Sequence, residues 1–366
     1  MSFEEDALKI CCVGDISLAY CNKRDNIVDD EVGRCIKGCD ISIANMEYVV
    51  YDGYIRPHDV CLVESTDTVS VIKNSGINVV SLANNHILDY GADAIISTRE
   101  TLNNHGIAYC GAGLNDEEAK SPVIINRKGK KVAIFGRVFD DSFVNIAPIL
   151  ATRDTPGAAL LTSEDIEICS ARYRSQVDYM IMFVHWGMQQ MNNHTKKMHL
   201  YGQKLLDGGF DFVFGSHAHV IEGVSSRIYF GLGNFYFAPI PYQGSLDGLL
   251  YGPRYRRNRI SEMAMIHLGR EGVVNSSVKV LYQDTDDVVK CLSERKTNYL
   301  KKKIYSSWAD YSWLHFQGEL RVRIIGQWYH SFKVALERKK IRGVAYCLSK
   351  GIVNMVLRII VPKTLG

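Results

Sequence analysis

Six short apolar runs, Leu8–Val13, Ile41–Ala44, Ile77–Leu82, Val132–Phe135, Tyr179–Val184 and Asp211–Phe214, alternate with helix-like stretches along this chain. The runs are largely continuous instead of alternating with polar residues, which suits strands covered on both faces. The stretches Ser65–Asn74, Gly91–His105 and His194–Asp207 read as helices between or beside them. Strand and helix in alternation predict an α/β fold with a largely parallel or mixed sheet. In such sheets the functional residues gather just beyond the carboxyl ends of the strands. Five polar motifs fall in those places: VGD ending at Asp15, NME ending at Glu47, NNH ending at His86, HWG from His185, and GSHAH ending at His219.

Carboxylate, carboxamide and imidazole groups collected at one sheet edge are the donor set of a metal-assisted hydrolase. His217 and His219 can address one centre if the backbone turns, and Gly215 and Gly223 make a turn plausible. Asp15 and Glu47 supply carboxylates, and two cations side by side generally need at least one between them. An asparagine of NNH, Asn84–His86, offers a neutral oxygen, which leaves the adjacent His86 to reach a substrate. Asp89 and Gly91 read as a turn and helix entry, with Asp89 able to bond a loop amide or a ligand side chain. Each motif alone has a plainer reading. Asp15 suits a helix N-cap, Glu47 a salt bridge, His185 a satisfied buried imidazole, and the HxH pair surface histidines. Trp186 shields the site or simply fills a core. Their common order and position favour the joint reading.

At 366 residues the chain supports a large core, and 46% hydrophobic with 23% charged residues marks it as globular. The net charge of +3 hides an asymmetry: from Cys291 on, 15 Lys and Arg face 4 Asp and Glu, while the rest carries 28 and 36. Ten scattered cysteines form no CxxC pair and read as mostly free thiols of a reducing compartment. The acidic start MSFEEDALKI has no h-region, and no apolar stretch approaches the ~20 residues of a spanning helix. The expected location is therefore cytoplasmic, with the inner membrane face as a peripheral address.

VGDISL, IANMEYVV, LANNHILDYG, VHWGMQQ, GSHAHVIEG and YFGLGNFYF stand in this order in the sequence. They resemble the signature blocks of the CapA family of bacterial capsule and poly-γ-glutamate biosynthesis proteins, which is similar in fold to the calcineurin-like metallophosphoesterases. The resemblance runs from about Lys9 to Ala238, and less distinctly to about Val280. It implies a four-layer α/β sandwich of two mixed sheets flanked by helices, in a domain over residues 1–286. It also implies one or two divalent cations (Mn, Fe, Zn or Mg). Asp15, Glu47, Asn85, His185, His217 and His219 match the metal ligands, and His86 matches the histidine that bonds the substrate oxyanion or protonates the leaving group. Asn84, Asp89, Gln189 and Asn234 are candidates for supporting or substrate contacts. The implied function is capsule or exopolymer biosynthesis through a phosphoesterase-like hydrolase site that uses activated water. The alternative is a non-catalytic factor that keeps the fold and binds the polymer or its synthase.

Three departures stand out. Ser17 stands where phosphoesterases carry a histidine two residues after the first aspartate, a ligand that the family generally lacks. Gln189 stands where an acidic residue is frequent, and Ala218 where proline is. Most members are anchored by an N-terminal segment, and none is read here. Residues 287–366 form a basic, aromatic-rich extension with apolar steps over Ile341–Val361, read as an amphipathic helix that lies on an anionic membrane or packs on the body. Arg254, Arg256, Arg257 and Arg259 greet an anionic substrate or form a solvated loop. The expected partners are an anionic polymer, or a phosphorylated or amide-linked small substrate, together with a polymer synthase complex and a membrane surface. Nucleic acid is not expected.

Overall fold

The computed structural model describes residues 7–21, 26–53, 61–140, 146–238, 256–269 and 272–298. The strands of the first half are β1 (Leu8–Ser17), β2 (Ile41–Met46), β3 (Val49–Val50), β4 (Val63–Glu64), β5 (Val79–Ser81), β6 (Ala108–Cys110), β7 (Ala112–Gly113), β8 (Val123–Arg127) and β9 (Lys130–Val138). They continue as β10 (Gly157–Ala158), β11 (Tyr179–His185), β12 (Phe212–Ser216), β13 (Ile221–Ser225), β14 (Ile228–Leu232), β15 (Asn234–Phe237), β16 (Ile260–Leu268), β17 (Val273–Gln283) and β18 (Val289–Cys291). The helices are α1 (Asp30–Lys37), α2 (Val69–Ser75), α3 (Gly91–Asn104), α4 (Asp116–Lys120), α5 (Ser163–Tyr173) and α6 (Lys196–Asp207).

Two mixed sheets carry the fold. The first runs β18-β17-β16-β1-β2-β5-β6 with β15 also paired to β1, and the second runs β13-β14-β12-β11-β9-β8. Successive side chains on a strand point to opposite faces, so one strand feeds two cores. On β1, Ile10 and Cys12 join Ile43, Val79, Ile134, Phe183 and Phe214 between the sheets. Cys11 and Val13 pack outward with Val32 and Ile36 of α1, Ile72 of α2, and Ile95 and Leu102 of α3. Behind the second sheet, Phe135, Met182, Val184 and Val213 meet Ile166 of α5 and Met198 and Leu205 of α6. These three cores separate four layers, helix, sheet, sheet and helix, as expected. Burial on both faces explains why the strands read as unbroken apolar runs.

Strand and helix ends differ from the sequence reading for local reasons. β1 continues to Ser17, with an irregularity in its pairing after Asp15, so Asp15 lies within a strand and caps no helix. Thr195 accepts the Met198 amide, and α6 therefore starts at Lys196. The stretch from Ser65 divides into a 3-10 turn, Thr66–Thr68, and α2. β16, β17 and β18 form the antiparallel flank of the first sheet, and β18 extends that sheet past residue 286. Residues 299–366, including the expected tail helix, lie outside the described residues. Among the described residues, no helix is long and apolar enough to cross a membrane. Of the basic cluster, Arg259 is turned to the Gln283 carbonyl at 3.2 Å and to Asp287 at 3.7 Å.

β1 changes neighbours along its length. Leu8–Cys12 pair with β16, whereas Asp15–Ser17 pair with β15. The second pairing depends on Gly14, because a Cβ there would sit 1.8 Å from the Gly233 carbonyl oxygen, the atom that accepts the Asp15 amide at 3.0 Å.

Candidate metal centre

Strand register brings the first polar groups together. β1 lies between β2 and β15, which sets Asn45, Asp15 and Asn234 side by side. In the second sheet His185, the last residue of β11, is level with Ser216 of β12. The loops after β5 and β12 bring Asn84 to His86 and His217 to His219. The turn expected from flanking glycines is made by the histidines themselves: φ is +87° at His217 and +58° at His219, and Gly223 follows at +115°. A left-handed conformation costs a residue with a Cβ roughly 1–2 kcal/mol. Gly215 is needed for a different reason. A Cβ there would lie 1.8 Å from the Phe230 carbonyl and 2.3 Å from the Trp186 indole nitrogen.

Glu47 is the hub. Its Oε1 lies 3.9 Å from His86 Nε2, 3.8 Å from His185 Nε2 and 3.7 Å from His219 Nε2. Each ring is held from behind through Nδ1, by Asp89 Oδ2 at 2.8 Å, Ser216 Oγ at 2.9 Å and Asn234 Oδ1 at 2.8 Å respectively. The carboxylate of Asp89 and the amide oxygen of Asn234 only accept, so His86 and His219 each carry a proton on Nδ1, which turns the Nε2 of both rings toward Glu47. His185 Nε2 is also 2.7 Å from Asn85 Oδ1 and 2.9 Å from His217 Nδ1. Two ligand groups emerge, Glu47 with His185 and His217, and Asp15 with Glu47 and His219. They share Glu47.

The electrostatics call for positive charge. Asp15 and Glu47 are both fully buried. Burial raises Asp15 to about 7 against the lowering hydrogen bonds of Asn45 and the His217 amide. Burial, then the neighbouring Asp15, raises Glu47 well above the usual carboxylate range. Burial, then the nearby His217, His219 and His86, holds His185 well below its ordinary value and so neutral. Neither Glu47 oxygen has a hydrogen-bond donor among the described residues. Its 3.7–3.9 Å separations from the imidazoles are too long for hydrogen bonds and match the span of two metal-ligand bonds of about 2.0–2.2 Å. Buried carboxylates, neutral imidazoles and an orphaned bridging group fit divalent cations.

Of the residues singled out from the sequence, Asp15, Glu47, Asn85, His86, His185, His217 and His219 come together here. Asp89 combines its expected roles by accepting the Leu62 amide at 2.7 Å while holding His86. Asn84 braces the end of β2, donating to the Met46 carbonyl at 2.7 Å and accepting the His86 amide at 3.0 Å. Gln189 is half-buried on the turn after β11 and has no hydrogen bond to the cluster among the described residues. Trp186 belongs to the core behind the second sheet, where its indole donates to the Phe230 carbonyl at 2.7 Å. Asn45 and Ser216 are missing from the sequence reading. Asn45 donates to Asp15 Oδ1 at 2.8 Å and Ser216 holds His185, yet both are single polar residues at the ends of apolar strands. Only the strand register could have found them.

Fold and site define a four-layer α/β protein with a candidate two-cation centre at the strand ends. Residues 9–239 match the family described as bacterial capsule synthesis protein PGA_cap, and the chain belongs to that family. It is 28% identical over 253 residues to the capsule biosynthesis protein CapA of Bacillus anthracis, covering 64% of this chain and 61% of that protein. To the PGA biosynthesis protein CapA of Bacillus subtilis (strain 168) it is 25% identical over 282 residues, covering 74% and 70%. A probable polyglutamine synthesis accessory protein of Mycobacterium tuberculosis is 26% identical over 189 residues, 49% of this chain and 50% of that one. Among solved structures, the calcineurin-like phosphoesterase YfkN from Bacillus subtilis is similar with a TM-score of 0.47 and 11% identity, over 82% of this chain and 97% of that one.

Proposed function

We propose that this chain is a divalent-metal hydrolase serving capsule or exopolymer production, acting on a phosphate ester or an amide within or around the polymer. The convergence of three imidazole Nε2 atoms on the unpartnered Oε1 of Glu47 carries the reading. The names of its relatives supply the polymer.

Glu47, Asn85, His185 and His217 would hold one cation, and Asp15, Glu47 and His219 the other. Bound there, a divalent ion supplies Lewis-acid polarisation of a substrate oxygen and acidifies water. The protein's own part is positioning and proton handling. Asn45 fixes the Asp15 carboxylate, Ser216 and Asn234 fix two rings, and burial excludes competing water. The His86 side chain is 16% exposed, against 4% for His185 and 1% for His219, so substrate arrives past His86. Asp89 holds the His86 ring through Nδ1 and so aims Nε2 at the cluster, where a proton on that nitrogen would pass to the departing oxygen or nitrogen.

The test is titration of metal-stripped protein with Mn2+, followed by hydrolysis assays on p-nitrophenyl phosphate and a γ-linked glutamate oligomer. Micromolar binding with turnover of either substrate that is lost in His86→Gln is expected. Absence of any bound ion sinks the proposal. A second reading, a polymer-binding or synthase-assembly factor, is favoured by Ser17, whose buried hydroxyl has no partner among the described residues and stands in the place of a phosphoesterase ligand. Normal polymer output from cells carrying Asp15→Ala would select it.

A further inference from the structure

Gln190 stands out among the polar groups around the centre. It lies in the turn after β11 and is 6% exposed, yet neither Oε1 nor Nε2 has a hydrogen-bond partner among the described residues. Its backbone is left-handed, with φ of +66°. The backbone amide donates at 2.7 Å to the carbonyl of Ala218, the residue between His217 and His219. An unsatisfied buried carboxamide and a strained backbone both destabilise the folded chain. Native proteins seldom combine them without a use. Here they coincide in a loop clamped to the one that presents two metal-ligand candidates.

The donor inventory narrows what the carboxamide is for. A cation could take Oε1 but would leave the Nε2 hydrogens unpaired. A phosphate or carboxylate offers acceptors only, so it would satisfy Nε2 and leave Oε1 orphaned. A secondary amide brings one N–H and one C=O, the complement of both atoms. We propose that Gln190 is a specificity-determining residue that binds an amide linkage of the ligand and favours amide-linked over phosphorylated substrates. This rests on the reading of the neighbouring cluster as a substrate-binding metal centre.

A site built to hydrogen-bond one group discriminates strongly against ligands that lack it. The experiment compares wild type with Gln190→Met, which roughly keeps the volume and removes both polar atoms. Gln190→Gly serves as a second variant that suits the left-handed backbone. Calorimetric titrations of the full chain use Mn2+ alone, then tri-γ-glutamate and inorganic phosphate on the Mn2+-loaded protein. In both variants the Kd for tri-γ-glutamate should rise about tenfold or more. The Kd values for Mn2+ and phosphate should stay within about twofold of wild type, and the Tm of ligand-free Gln190→Met should hold or rise. Unchanged affinity for tri-γ-glutamate in both variants overturns the proposal. So does equal weakening of phosphate, or a wild type that binds Mn2+ but no tri-γ-glutamate. A lower Tm with lost Mn2+ binding in both variants assigns Gln190 a structural role and also overturns it. Failure of wild type to bind Mn2+ would instead strike the metal-centre reading, which the first titration examines alone.

Discussion

His219 turns Nδ1 to Asn234 Oδ1 at 2.8 Å and Nε2 toward Glu47 Oε1 at 3.7 Å, so one ring links β15 to the end of β2. Asn234 thereby sets which nitrogen carries the lone pair. Asn234→Leu should weaken Mn2+ binding about 10–100-fold, the range usual for removing a group that orients a metal-binding histidine. Metal titration with circular dichroism as the folding control checks it.

The two candidate ligand groups are unequal. Glu47, Asn85, His185 and His217 number four donors, whereas Asp15, Glu47 and His219 number three. Mn2+ should therefore bind in two steps, the tighter abolished by His217→Ala and the weaker by Asp15→Asn. A single step of two equivalent sites would contradict the asymmetry.

Arg137 is fully buried and holds Asp165 of α5 through Nε at 2.8 Å and Nη2 at 3.1 Å. Arg137→Met strands the carboxylate and should cost about 3–5 kcal/mol in urea unfolding. The double variant Arg137→Met with Asp165→Leu should recover most of that loss. If it is no more stable than the single variant, the pair does more than neutralise itself.

His194 stacks on Phe230 with ring centres 3.6 Å apart. Burial, with His199 close by, pushes its imidazole down from 6.5 to about 4, against a weaker opposing contribution from the Glu222 backbone. The unfolded chain takes up this proton first. Its contribution is thus intact above pH 6.5 and lost as pH falls toward 4, by about 3 kcal/mol at most. His194→Phe keeps an aromatic ring against Phe230 and should flatten that part of the stability profile. Parallel profiles for the two proteins would refute the assignment.

The sequence made the site more legible than the sheets. Continuous apolar runs located β1, β2, β5, β9, β11 and β12 because each is buried on both faces, and the polar residues at their ends then had to meet. β16 was harder to see: Ile260, Met265 and His267 are only partly buried, and a flank strand of that kind carries a weaker apolar signal. Asn45, Ser216 and Gln190 escaped for another reason. Their importance lies in what stands across from them, Asp15 on β1, His185 on β11 and Ala218 in the histidine loop, and one-dimensional patterns do not hold cross-strand partners.

The exchange of neighbours along β1 has a consequence for the site. Up to Cys12 the strand is bonded to β16, and from Asp15 it is bonded to β15, so the ladder is broken between them. At this seam β1 passes one edge from an antiparallel partner to a parallel one, the kind of topological switch beside which α/β sheets gather their functional residues. Asp15 is the first residue past the break. Its carboxylate stands beside Asn45 and Asn234 because the chain changes lanes there.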